Sequence, residues 1–434
     1  MKKYYFLIWC EQQTKIVITM KKFFTLIILI LLVQTNVFAT TAYLAGIDEA
    51  IDIALKSSGE LRAGQAHFGL TEAKVFTANT RLNPVLISDS GIAEKTYRVG
   101  VQMIIETAGK RKKRTRLAQK QRDIAENEID AKLLDIKAQV RKAYIELYAA
   151  QNKEKSIEDL INTADYFLSS GKDKKYPGIT EADIIQIEII KLKAEMELEK
   201  AHSELLQAHS VLNVLLGHSL EKSCVLEAPS LKDSFKDVVT LTDESHKLNL
   251  DELNKKAMEN RPEVKLYEDN IKLANLQLDV AKANIIPNVL LASGPDMVSN
   301  SPGTLNVGAF IMTAVEIPLF DRQQGPIKEA KMMQKVAAEE YENKKGDILN
   351  EVYDAYERIV FNTKLITQYD NETIPRAKDL VERSLNYFKE HKKDPVTLLT
   401  AKETSMNVRL TYIRLMSEYQ NAISDLERAI GVSL

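Results

Sequence analysis

Apolar residues return at intervals near three and four along Leu117, Ile124, Ile129, Leu133, Ile136, Val140, Tyr144 and Leu147. That is the period of one helix face, and it predicts a single very long helix from about Lys110 towards Ser169. Ser170-Gly171 and Tyr176-Pro177-Gly178 break it. A return helix follows over Glu181–Leu216, with Ile185, Ile189, Leu192, Met196, Leu205, Leu212 and Leu215 on one face and Gly217 at the C-terminal cap. Ahead of the long helix, Leu61–Arg81 reads as a helix stopped by Asn83-Pro84. Val85–Ile92 and Tyr97–Glu106 then change to a period of two.

The same order recurs in the second half. Glu263–Ala283 is a helix, Asn288–Gly294 and Leu305–Ile317 are strands, and Gly325–Tyr387 is a second long helix. Asp394-Pro395 marks a turn, and Thr397–Ile430 returns to Gly431. The two halves are copies. Ala54, Ala78 and Pro84 recur as Ala257, Ala281 and Pro287; Ala118, Val140, Ala143 and Tyr144 recur as Ala330, Val352, Ala355 and Tyr356; Leu216-Gly217 recurs as Ile430-Gly431. One supersecondary unit is therefore built twice, over residues 40–218 and 250–434, with residues 219–249 as a connector.

Helix lengths add an architectural expectation. About 60 residues in an α-helix span roughly 90 Å, close to the first and return helices laid end to end. Each half should be a coiled-coil rod with a strand pair at one end and a turn at the other. A polar helix of that length has no globule to lie on and packs along other helices.

The strands face two ways. Tyr97, Val99, Val101, Met103 and Ile105 alternate with Arg98, Gly100, Gln102, Ile104 and Glu106. Leu305, Val307, Ala309 and Ile311 alternate with Asn306, Gly308, Phe310 and Met312, so Phe310 and Met312 fall on the side expected to be wet. Strands of about nine to eleven residues suffice for a transmembrane barrel. Four strands cannot close one, and lipid tolerates no open edge. Either several copies pool their strands or the strands form a half-buried soluble sheet; alternation alone fits both.

Composition narrows the function. Lys and Arg number 59 against 61 Asp and Glu, a net charge of -2, so no basic field calls for nucleic acid. Met20-Lys21-Lys22, the apolar run Phe23–Val33 and Val37-Phe38-Ala39 form a secretory signal over residues 1–39, predicting a mature start near Thr40. Met20 begins a complete signal by itself, so residues 1–19 read as an over-called start. Cys10 precedes that leader and Cys224 stands alone, so no internal disulfide is expected. No nucleophile elbow, His-Glu-x-x-His, phosphate loop or dinucleotide fingerprint occurs, so no enzyme and no cofactor are expected. His202 and His209 are seven residues apart on a helix, about 10 Å along its axis, too far to share one ion. Met332-Met333 reads as packing.

Asn260-Arg261-Pro262-Glu263-Val264, Ala281-Lys282-Ala283-Asn284 before Pro287, and Ile317-Pro318-Leu319-Phe320-Asp321-Arg322-Gln323-Gln324-Gly325 resemble the TolC-like outer-membrane efflux proteins. Glu106-Thr107-Ala108-Gly109-Lys110-Arg111 resembles the strand-to-helix junction of the heavy-metal, CzcC-like branch. Gly178-Ile179-Thr180-Glu181-Ala182-Asp183-Ile184 and Leu398-Leu399-Thr400-Ala401 resemble the family's two hairpin tips. The resemblance implies a mainly α fold with a small β part: a homotrimer pooling four strands per protomer into one 12-stranded outer-membrane β-barrel above an α-helical periplasmic tunnel. It implies a passive duct for small solutes such as metal ions or drugs, or for type I secretion. The partners implied are a periplasmic adaptor (membrane fusion protein), an inner-membrane pump and outer-membrane lipid, in a Gram-negative envelope. A soluble periplasmic coiled-coil adaptor or scaffold is the alternative.

Three groups of residues carry the site expectations. Val99, Val101, Met103, Val307 and Ile311 are candidates to face lipid. Lys110, Arg111 and Arg114 lie in a basic run that opposes the macrodipole of its own helix; it is either a solvated face or a contact with anionic headgroups. Asp183, Ile184, Ile185, Asp394, Leu398 and Leu399 are candidates to dock the adaptor, with closure of the hairpins as the competing role for the leucines.

Overall fold

The computed structural model describes residues 46–91, 96–172, 180–218, 248–301, 304–391 and 395–433. The expected signal peptide, nearly all of the connector and Asp394 lie outside them. The first repeat comprises α1 (Ile47–Ser57), α2 (Gly59–Asn79), β1 (Val85–Gly91), β2 (Thr96–Ile105), α3 (Lys110–Lys172) and α4 (Glu181–Leu215). The second comprises α5 (Leu250–Asn260), α6 (Pro262–Ala283), β3 (Val289–Ser301), β4 (Thr304–Val315), α7 (Gln324–Gln368), a π-helical turn (Tyr369–Thr373), α8 (Ile374–His391) and α9 (Pro395–Ile430). The duplication is thus one of structure as well as of sequence.

Local chemistry explains most boundaries. Ser58 caps α2 by accepting from the Leu61 N–H at 3.2 Å. Thr180 and Asp183 close a reciprocal capping box on α4. Pro262 opens α6, where its missing N–H costs nothing. Gly217 and Gly431 follow the two return helices at φ 69° and 75°, the left-handed conformation that ends a helix.

Three features depart from the sequence reading. The short helices α1 and α5, 11 residues each, precede the expected first helices. Strand β3 runs on to Ser301 instead of ending at Gly294. The second long helix is interrupted by the π turn, and the cause is Pro375. It has no N–H to give to the carbonyl four residues back and its ring crowds that carbonyl, so the ladder widens just before it.

α3 is 63 residues long, about 95 Å, while α2 and α4 with 21 and 35 residues reach about 84 Å together. Both pack along α3, as expected of a stacked pair. α6 and α9 pack along α7 in the same manner, and α9 continues along α8. α6 and α9 also lie on α3, which joins the repeats. The helices therefore form layers in the order α2 with α4, then α3, then α6 with α9, then α7 with α8.

The cores are apolar seams along these rods. Ile348, Val352, Ala355, Ile359 and Ile366 of α7 meet Leu415, Met416, Tyr419, Ala422, Leu426 and Ile430 of α9. Nearer the turns, Ile157, Leu160, Ala164 and Phe167 of α3 meet Ile187, Ile190, Ala194 and Ala201 of α4. Alanine is frequent in both seams because its small side chain lets long helices approach closely over many turns.

The four strands make one antiparallel sheet in the order β1-β2-β3-β4. Each repeat supplies a hairpin, and β2 pairs with β3 to join them. β1 and β4 are left as open edges. The open edges continue into the outermost helices: β1 follows α2, and β4 leads into α7.

Candidate functional site

Pairing register decides which side chains share a face. Val101 stands opposite Leu86 and Ser293, and Ser293 stands opposite Ile311. Tyr97, Met297 and Val307 form a parallel row, and Ile105, Val289 and Val315 another. These rows lie on one face and are open: Tyr97, Val99, Val101, Met103 and Ile105 are all exposed, as are Leu86, Val307 and Val315, with Ile311 at 78%. An isolated exposed leucine needs no explanation, but a whole apolar sheet face does. All five residues expected to face lipid lie on it.

The opposite face is mixed: Arg98, Gln102, Asp296 and Asn306 share it with Ile104, Leu290, Phe310 and Met312. Arg98 and Asp296 form an ion pair at 3.4 Å between β2 and β3. Gly100 and Gly294 cross at close range: a Cβ on Gly294 would stand 2.5 Å from the Gly100 Cα, and one on Gly100 would stand 2.7 Å from Cζ of Phe310. Phe310, an exception in the alternation, therefore lies over the notch left by the two glycines. The β2–β3 ladder skips Val99 and Gly100 opposite Gly294 and Pro295. Pro295 has no N–H to supply there, and the glycines let the backbones approach instead.

At the strand-to-helix junction the basic run has a different role from that expected. Arg114 donates to the Ala78 and Thr80 carbonyls at 3.0 and 3.3 Å and pairs with Glu106 at 2.7 Å. Lys110 donates to Oδ1 of Asn288 at 2.8 Å. The apparent conflict with the α3 dipole is resolved because α2 ends beside the start of α3. A cation there is unfavourable to one helix and favourable to the carbonyl end of the other. Lys110 and Arg114 are thus engaged within the chain while remaining partly exposed; Arg111 is half-buried beside the exposed Lys112.

The tip is corrected in the same way. Leu398 and Leu399 are 2% and 0% exposed, packed with Phe388, Val396, Ile157 and Ile187. Edge-to-face stacking of Phe167 on Phe388, with centroids 5.2 Å apart, joins the two hairpins at the same place. The leucines close the hairpins on each other and offer no surface. Asp183 accepts from the Thr180 N–H at 2.8 Å, so its carboxylate belongs to the helix cap. Ile184 is half-buried and Ile185 is exposed.

Between the repeats the α3–α9 contact is charged. Lys142 pairs with Asp425, which also holds Arg358 at 2.8 Å; Arg141 pairs with Glu427; Glu146 accepts from Ser417 and Asn421 at 3.0 and 2.7 Å. Arg428 reaches Asp135 and Glu351, each at 3.3 Å. Above this ladder Arg261 is fully buried, hydrogen-bonded to Glu263 and 2.8 Å from Glu351. The Gly431 turn sits directly on its backbone. Arg261 was visible in the sequence only as part of a family-like motif, and only the structure places it between α6, α7 and α9. Burial pushes the Glu263 carboxyl up, but Arg261 outweighs this and holds its pKa below the ordinary range.

His202 Nδ1 lies 2.9 Å from Glu154 across α3 and α4, a polar pair on the bundle surface. Among the described residues, no group of three or more His, Cys, Asp or Glu is placed to hold a metal ion, and no helix is long and apolar enough to cross a membrane. An open groove of about 970 Å³ between α3, α4 and α9 is lined by mixed charges including Lys142, Lys153, Glu197, Glu204 and Arg414.

No family model matches the chain. It is 21% identical over 389 residues, 89% of this chain and 90% of the relative, to the cobalt-zinc-cadmium resistance protein CzcC of Cupriavidus metallidurans. Its structure is similar to the open state of the MtrE outer membrane channel of Neisseria gonorrhoeae, with TM-score 0.70, 16% identity and 90% of each chain covered. It is also similar to the outer membrane protein VceC of Vibrio cholerae, with TM-score 0.68, 17% identity, and 89% of this chain and 96% of that one covered. The chain has the fold of the TolC-like outer-membrane efflux channels, as its motifs suggested.

Proposed function

We propose that this protein is the outer-membrane channel of an efflux system, a passive duct through which small solutes leave the cell. One observation supports it above the others: an open-edged four-stranded sheet with a mainly apolar, exposed face is joined directly to helices about 90 Å long. The apolar face suits hydrocarbon and the Arg98–Asp296 face suits an aqueous lumen. The edges β1 and β4 are satisfied when three copies pool twelve strands. A soluble coiled-coil adaptor, the competing class, has no use for the apolar face.

The bare flanks of the helical layers fit the same ring. Leu192, Met196 and Leu206 on α4 and Val360, Phe361 and Leu380 on α7 and α8 are exposed at the two outer flanks, where neighbouring copies would meet. A periplasmic adaptor and an inner-membrane pump complete the system, with Ile184 and Ile185 as the remaining apolar docking positions at the tip. The substrate class proposed is small solutes, with divalent metals first because the curated relative is a cobalt-zinc-cadmium resistance protein.

The test has two parts. Protein extracted from the outer-membrane fraction should be a trimer by native mass and should form ion-conducting pores in planar bilayers. Deletion of the gene should sensitise cells to cobalt, zinc or cadmium. A monomer found in the soluble periplasmic fraction would overturn the reading.

A further inference from the structure

The duplication can be used to ask what each repeat touches. The β2–α3 junction of the first repeat rests on the α6–β3 link of the second: Thr107 donates its hydroxyl to the Pro287 carbonyl at 2.7 Å and Lys110 reaches Asn288. Pro287 is the copy of Pro84, so the corresponding link of the first repeat is Arg81–Val85. Among the described residues that link has no junction upon it, because β1 is an edge strand. The β4–α7 junction at the other edge is equally bare: Ile317, Leu319 and Phe320 are 74%, 64% and 92% exposed.

That second junction is built to hold its ring outward. Asp321 accepts from the Gln323 N–H at 2.8 Å, and Gln324 accepts from the Arg322 N–H at 2.7 Å while donating to the Phe320 carbonyl at 3.1 Å. Gln323 takes a left-handed φ of 59° to close the loop. A rigid loop loses little conformational freedom on binding, so an ordered, fully displayed phenyl ring marks a contact surface. The bare link carries matching apolar surface in Leu82 and Val85, with Phe76 just before it on α2.

We infer that the loop Pro318–Gln323 seats Phe320 on the Arg81–Val85 link of a second copy of this chain, repeating between protomers the contact that the two repeats make within one. Such a head-to-tail contact builds a ring when its rotation closes, as three copies would. The inference rests on the channel reading, which supplies the second copy, and goes beyond it by assigning the seam where barrel becomes tunnel.

The experiment uses the full chain with Cys10→Ser and Cys224→Ser. In this background Phe320→Cys with Leu82→Cys is treated with a short bismaleimide in native membranes. Covalent dimers and trimers are expected, while either cysteine alone should give monomer on a denaturing gel. An intact native trimer that never cross-links would overturn the seam and leave the channel reading standing. Absence of any trimer would overturn both. Trp9 lies in the expected leader, so Phe320→Trp would carry the processed chain's only tryptophan. Its fluorescence should be unchanged in vesicles of brominated lipid, and strong quenching would place the ring in lipid and overturn the contact.

Discussion

Replacing Ile311 by arginine tests the membrane assignment most directly. Ile311 lies in a 12-residue strand, one or two residues from its midpoint, with 78% of its surface open. A rise of about 3.3 Å per residue at a tilt near 40° advances the chain about 2.5 Å along the membrane normal. Ile311 is therefore about 4 Å from the midplane, inside a hydrocarbon band about 25 Å tall. Arginine at that depth costs about 2–4 kcal/mol per site, or roughly 6–12 kcal/mol for a ring of three. In a soluble sheet the same exposed substitution would stay within about 0.5 kcal/mol. Gln102, on the opposite face, is the control, since arginine there would enter an aqueous lumen. Urea unfolding of protein refolded into vesicles should show a large loss for Ile311→Arg and a small one for Gln102→Arg. Equal midpoints for the two variants would refute the assignment of faces.

Other outcomes follow from the helical layers. Arg261→Met leaves Glu263 and Glu351 without their buried cation and should cost about 3–5 kcal/mol, read as an earlier thermal transition of the detergent-solubilised protein. Burial raises the Asp425 carboxyl, yet Lys142 and Arg358 more than compensate, so Asp425 and Glu263 both sit below the ordinary carboxylate range. Groups with depressed folded pKa values stabilise above their unfolded values and lose that stabilisation as protons bind. Melting temperature should therefore hold at neutral pH and fall below about pH 4.5, with a weaker pH slope in Glu263→Gln. Leu399→Asp would bury a charge between the hairpins, and tryptic cleavage near the tip should rise several-fold while the barrel still assembles; an unchanged digestion pattern would mean that the hairpins do not rely on this contact.

Periodicity alone was sufficient for the long helices, because a seam repeated over many turns leaves little choice of face. The duplication supplied the order of elements, and alternation supplied the strands and the faces of Val101 and Ile311. Shorter features were lost where the signal is weak: α1 and α5 are three turns each, and the π turn depends on one proline in an otherwise helical stretch. Side-chain roles were the least legible. Arg114 was read against its own helix because nothing in the sequence places the end of α2 beside it. Leu398 and Leu399 stood between docking and hairpin closure until Phe388 and Ile157 were brought over them, and Asp183 looked like a docking charge until Thr180 claimed it. Phe310 broke the alternation for a reason that lies on two other strands, the crossing of Gly100 and Gly294. Local sequence determines which face of an element is apolar. What that face meets is decided by residues tens or hundreds of positions away, so only the tertiary structure could separate the apolar faces that close on each other from those left bare.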